Sequence, residues 1–154
     1  MGTSSGFYAH TLGKGKDWHD LVSHLEQTAA RARRNGAKFG AGETAYLAGL
    51  WHDIGKFNPD FQEYLRRCEA ASRDGEEPPA KGVPHAVYGA VLASESAPLL
   101  SSVIYGHHAG LPNRAKLQEA VAKAEHREVY ERLLPPAHER VSGLSLGERA
   151  SPLG

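Results

Sequence analysis

Apolar residues recur along most of the chain at the spacing of one helical face. From Trp18 they fall at Leu21, Val22, Leu25, Ala29 and Ala32, the i, i+3, i+4, i+7 pattern that predicts a helix over 17–34. Asn35-Gly36 interrupts it. The stretch from Thr44 to Trp51 then has no polar position after Thr44, so a helix over 43–54 is buried nearly all round, with Gly55 as its stop. Asn58-Pro59 reads as a cap and first turn, and Phe61, Tyr64, Leu65 and Cys68 carry a third helix over 59–71. Asp74-Gly75, Pro78-Pro79 and Lys81-Gly82 mark 72–84 as a loop. His85 opens a fourth helix through Val87, Tyr88, Val91 and Leu92. Pro98 starts a fifth through Leu99, Leu100, Val103 and Ile104, ending at His107-His108 before Gly110. Asn113 caps a sixth that runs to about Leu134, where Pro135-Pro136 stops it. No strand-like alternation of useful length appears, so the fold class is all-α, a bundle of about six helices. It fills residues 1–140, and 141–154 are expected to be a disordered tail. Residues 1–16 are rich in Gly, Ser and Lys; the run Gly13 to Lys16 lacks the spacing of a phosphate-binding loop and reads as a turn.

Composition narrows the function. The chain has 154 residues and a formal net charge of zero, which suits one domain and argues against autonomous high-affinity binding to nucleic acid. It does not argue against acting on nucleic acid delivered by a partner. No apolar run approaches the length of a membrane span and no signal peptide is present, so the expectation is a cytoplasmic protein without a membrane partner. Cys68 is the sole cysteine, which excludes an internal disulfide or a thiolate zinc cluster and reads as a small buried apolar residue.

The nine histidines carry the chemistry. His52-Asp53 ends the most apolar helix, where the helix dipole repels a carboxylate and burial makes an unpaired one costly. Its partner is either its own histidine or a cation. A stray His-Asp pair has a chance expectation of about 0.3 in such a chain, so the pair alone decides nothing. The combination is more selective, because His24, His52-Asp53, His85 and His107-His108 place a candidate ligand on each of four helices, three of them at a helix end. Helix bundles build metal sites from facing side chains in this way, and a carboxylate can bridge two ions. A histidine-rich set without thiolates favours manganese, iron, cobalt, nickel or zinc over magnesium. Lys56 stands where it can meet a phosphate oxygen or orient the carboxylate.

The run His52-Asp53-Ile54-Gly55-Lys56, with His24 upstream, His85 in His85-Ala86-Val87-Tyr88-Gly89-Ala90, and His107-His108-Ala109-Gly110-Leu111 downstream, resembles the HD superfamily of metal-dependent phosphohydrolases. Within it the chain is most similar to the HD nuclease of type I CRISPR systems, found alone or fused to a helicase. Tyr8-Ala9-His10, Ala48-Gly49-Leu50 and Phe61-Gln62-Glu63-Tyr64-Leu65 fit that subgroup, and the similarity spans about residues 8–112. The resemblance implies an HD-domain bundle with one or two divalent transition-metal ions. It implies that His24, His52 and Asp53 hold one ion, and that Asp53 bridges to a second held by His85, His107 and His108. Asp53 and Lys56 would be the catalytic residues. The implied substrate is single-stranded DNA, and the implied partners are a CRISPR helicase and a guide-RNA surveillance complex.

The sequence departs from that pattern late. The family supplies a further aspartate to the first ion from a late helix, and here no aspartate follows Asp74. Either the chain is a shortened form of a longer domain, the alternative favoured by the unpatterned end, or the ion has fewer protein ligands, or Glu125, Glu128 or Glu139 takes the position. The departure bears on occupancy of the first site and on activity. Two other readings follow: a phosphohydrolase of nucleotides, and a non-catalytic subunit that keeps an ion and docks a helicase or surveillance complex.

Overall fold

Seven α-helices and a short strand pair make up the computed structural model, which describes residues 6–11 and 18–144. The fold is all-α, with one helix more than expected. Strand β1 (Tyr8–His10) pairs antiparallel with β2 (His19–Asp20), placing Tyr8 opposite Asp20 and His10 opposite His19. These strands of three and two residues are too short to show alternation in the sequence. The predicted turn at Gly13 to Lys16 lies outside the described residues.

Helix α1 (Leu21–Ala37) starts where it does because the Asp20 carboxylate accepts the Ser23 backbone N–H at 3.0 Å, satisfying one of the unpaired donors of a helix start. Leu21, Leu25 and Ala29 form its fully buried stripe. Helix α2 (Gly42–Trp51) packs along α1 and runs into a 3-10 turn, Ile54–Phe57, whose four residues are all buried. Helix α3 (Pro59–Asp74) is capped by the Asn58 side chain, which accepts the Asp60 N–H at 3.1 Å. Cys68 on this helix is only half-buried, against Tyr64. Helix α4 (Ala86–Ser96) is the axis of the bundle, and every residue from Val87 to Ala93 is buried. Helix α5 (Pro98–Gly106) returns along it. The core gathers Leu21, Leu25, Leu50, Trp51, Ile54, Phe57, Val91, Ile104 and Leu133.

Three expectations about local structure are corrected. The sixth helix is two, α6 (Arg114–Ala122) and α7 (Ala124–Arg140), with Lys123 extended between them. No glycine or proline marks the break; it is held by His126 Nδ1 donating to the Ala120 carbonyl at 2.7 Å and Arg127 Nε donating to that of Val121 at 3.2 Å. Nor do Pro135-Pro136 stop α7, which continues to Arg140. Beyond them Ala137, Val141 and Leu144 are buried with Leu133. Each large aliphatic side chain buried contributes about 1.5–3 kcal/mol, the same order as the ~3 kcal/mol cost of an interior proline. Val141 and Leu144 thus pack with the body, and the rest of the expected tail lies outside the described residues. Finally, α2 ends at Trp51, and Gly55 sits inside the 3-10 turn without a left-handed backbone. Among the described residues no helix is long and apolar enough to cross a membrane.

Candidate metal centre

Helix α2 is not buried nearly all round as expected: Glu43 is exposed, the residues from Thr44 to Ala48 are half-buried, and only its end at Gly49, Leu50 and Trp51 sinks into the core, carrying Asp53 with it. His52 caps α2, and Asp53 leads into the 3-10 turn with its side chain buried. The start of α4 is pressed against this turn. A Cβ at Gly55 would overlap the His85 carbonyl and stand 2.8 Å from the His85 Cα, and one at Gly89 would overlap the Trp51 carbonyl. Gly55 thus serves close approach, and this contact sets His85 beside Asp53.

The Asp53 carboxylate divides its neighbours between its two oxygens. Oδ2 lies 3.2 Å from His24 Nε2, 3.1 Å from His52 Nε2 and 2.8 Å from Lys56 Nζ. Oδ1 lies 3.4 Å from His85 Nε2 and 3.5 Å from His107 Nε2. His108 joins through its Nε2, 2.8 Å from that of His85. All six residues named from the sequence as ligands therefore come together, in two clusters that share Asp53: His24 with His52, and His85 with His107 and His108. Lys56 also donates to the Ala9 carbonyl at 2.8 Å and is itself buried. It is directed at the carboxylate, the second of the two positions the sequence allowed it.

The donor chemistry fits a cation. His52 Nδ1 donates to the Gly49 carbonyl at 2.8 Å and His107 Nδ1 to that of Ile104 at 2.6 Å. A backbone acceptor at Nδ1 fixes the tautomer and leaves the Nε2 lone pair facing inward, the usual support of a metal-bound imidazole. Two lone pairs then face a carboxylate, which repels them unless a proton or a metal ion lies between. Asp53 Oδ1 is moreover buried without a hydrogen-bond donor, since the imidazoles beside it make no directed bond. A cation with bonds of about 2.1 Å holds neighbouring ligand atoms about 3.0–3.4 Å apart, close to the His24–His52 separation of 3.3 Å.

Burial opposes ionisation of Asp53, but the imidazoles of His107, His24 and His52 outweigh it and hold the carboxyl far below the usual range. Burial also lowers His85, to about 4, with Asp53 opposing and Lys56 and His108 assisting. His108 is lowered by burial and by His107. Burial would lower His107 too, yet the neighbouring Asp53 carboxylate and the Ile104 carbonyl raise it. The His85 shift has a measurable consequence in metal-stripped protein. The unfolded chain takes up this proton near 6.5 and the native protein only near about 4, so acidification across that window favours unfolding, by up to ~3 kcal/mol once pH falls below it. Denaturant melts at pH 7 and pH 4.5 are expected to show a larger acid loss in the native sequence than in His85→Gln; equal losses would contradict the assigned burial.

Glu125, Glu128 and Glu139 do not reach the centre. Glu125 pairs with Lys123 at 2.8 Å and Glu139 with Arg140 at 2.6 Å, and all three are exposed. None belongs to a histidine–carboxylate cluster among the described residues. Reading the sequence missed a third cluster, His10, His19 and His24, because His10 and His19 are brought together by the strand pair. Burial, and then the neighbouring imidazoles, lower both His10 and His19.

The family model described as Cas3, HD domain, matches residues 36–147. The matched span starts later and runs further than the resemblance read from the motifs. It holds five of the six clustered residues, while His24, His10 and His19 precede it. No curated protein matches the chain.

Proposed function

Because the chain belongs to the Cas3 HD-domain family, we propose that it cleaves single-stranded DNA by metal-dependent phosphodiester hydrolysis in CRISPR interference. The family's activity is that of a metal-dependent, nuclease-type hydrolase of CRISPR systems. The observation that carries the finer reading is the buried Asp53 carboxylate, one oxygen facing His24 and His52 and the other facing His85 and His107. Ions of the manganese, iron, cobalt, nickel or zinc class, when bound there, would activate water and neutralise charge on the phosphodiester.

The chain's own residues do the positioning. Asp53 serves both clusters, and the Gly49 and Ile104 carbonyls hold His52 and His107 by their Nδ1 atoms. Lys56 fixes Oδ2 by an ion pair of 2.8 Å and ties it to β1 through Ala9. The balanced charge supports a strand delivered by partners, a helicase and a guide-RNA surveillance complex, over one captured by the domain alone.

Metal-stripped protein given manganese, nickel or cobalt is expected to release products from single-stranded DNA. Turnover of nucleotides with no DNA cleavage would replace this reading by a small-molecule phosphohydrolase. Metal binding with no turnover of either would favour a docking subunit. Lys56→Gln is expected to lower kcat by about 10²-fold with little change in KM; an unchanged kcat would remove Lys56 from the site's machinery.

A further inference from the structure

The third histidine cluster lies on the N-terminal side of the Asp53 centre. His10 ends β1 and His19 opens β2 directly opposite it, and His24 follows in the first turns of α1. The three rings sit edge to face, with centroids 4.9 Å apart for His10–His19, 5.3 Å for His19–His24 and 5.7 Å for His10–His24. One ring nitrogen from each lies within 4.8 Å of the other two. The hairpin is not loosely placed. Gln62 brackets Tyr8, accepting its N–H at 2.9 Å and donating to its carbonyl at 3.0 Å. Ala9 receives the same lysine that holds Asp53. The backbone leading into His10 is thus anchored to the centre itself.

The two sides of that centre are unequal. Three imidazoles gather on the Oδ1 side, His85, His107 and His108, but only His24 and His52 on the Oδ2 side. His10 and His19 stand behind His24 on the poorer side. We propose that His10 and His19, together with His24, bind a divalent transition-metal ion on the hairpin side of the centre. An all-imidazole set with neither carboxylate nor thiolate selects nickel, copper, cobalt or zinc, and disfavours magnesium and calcium. One ion would then join ligands from both strands and α1. This proposal rests on the reading of His24 as a ligand of the Asp53 centre; holding both ions would take both of its ring nitrogens, the ring proton being released to solvent on binding.

The test is equilibrium nickel binding by the full chain, with bound metal measured after dialysis. Replacing both His10 and His19 by alanine is expected to remove one equivalent, or to weaken the weakest equivalent at least about tenfold, while circular dichroism stays helical. His138→Ala, an exposed histidine of α7, is the control for adventitious binding and leaves the titration unchanged. A double variant with the stoichiometry and affinities of the native chain overturns the proposal. Asp53→Asn separates the two readings. If it leaves the titration unchanged while the hairpin variant loses an equivalent, the Asp53 centre fails and the hairpin site stands; the reverse result leaves only the Asp53 centre. Should the double variant not fold, nuclear magnetic resonance of the native chain decides. Substoichiometric nickel should broaden the His10 and His19 ring signals, and signals left sharp would overturn the proposal.

Discussion

Replacing Asp53 by alanine is expected to lower cleavage of single-stranded DNA by about 10³-fold or more and to remove the Asp53 centre's share of the thermal stabilisation that manganese or nickel confers. Both effects follow from one carboxylate serving two clusters. Its loss removes a ligand from each, so neither ion is retained by the remaining imidazoles with the same affinity. The metal-free protein should change less. Deletion relieves a buried Oδ1 that has no donor, a penalty of about 1–3 kcal/mol, but leaves Lys56 with only the Ala9 carbonyl and the Phe61 ring to offset its buried charge. These terms oppose each other. Metal at about 100 times its dissociation constant stabilises a protein by ~2.7 kcal/mol per site, and that increment is what the variant should lose. Melting curves with and without metal, beside cleavage rates, test the prediction. A variant that keeps its full metal-dependent shift would show that the ions bind elsewhere.

The second large effect is expected at Gly55. Its Cα lies so close to residue 85 that an alanine Cβ would overlap backbone atoms, the His85 carbonyl among them, and backbone cannot swing aside as a side-chain tip can. Gly55→Ala must therefore push the 3-10 turn away from the start of α4, at a cost of at least about 1–3 kcal/mol for overpacking. That displacement moves the turn led by Asp53 relative to His85, whose Nε2 now lies 3.4 Å from Oδ1. The expected result is a less stable protein whose Oδ1-side cluster loses affinity before the His24–His52 side does. Denaturant melts and metal titration of the same sample would show both losses. Native stability with native stoichiometry would mean that this contact does not position His85.

How much of this was legible beforehand varies by residue. His52-Asp53, His85 and His107-His108 could be assigned to helix ends because Asn58-Pro59, Pro98 and the apolar stripes give local, short-range signals. That these ends meet at one place is a property of packing, and it reached the sequence reading through resemblance to a family. Lys56 was left with two roles, since only burial beside Asp53 distinguishes orienting a carboxylate from facing solvent. The break at Lys123 was hidden because His126 and Arg127 cap α6 from the following helix. The same applies to Val141 and Leu144, apolar residues amid Gly and Ser whose burial depends on α7 continuing through two prolines. His10 and His19 were missed because strands this short leave no period to read.

The proposed chemistry depends on Asp53 being shared by two bound cations, one on each carboxylate oxygen. Anomalous diffraction from crystals grown with manganese or nickel tests it most directly. Two peaks are expected flanking the Asp53 carboxylate, one bonded by His24 and His52 and the other by His85, His107 and His108. Saturating metal with no peak in reach of Asp53, its imidazoles bonded only to one another and to water, would contradict it.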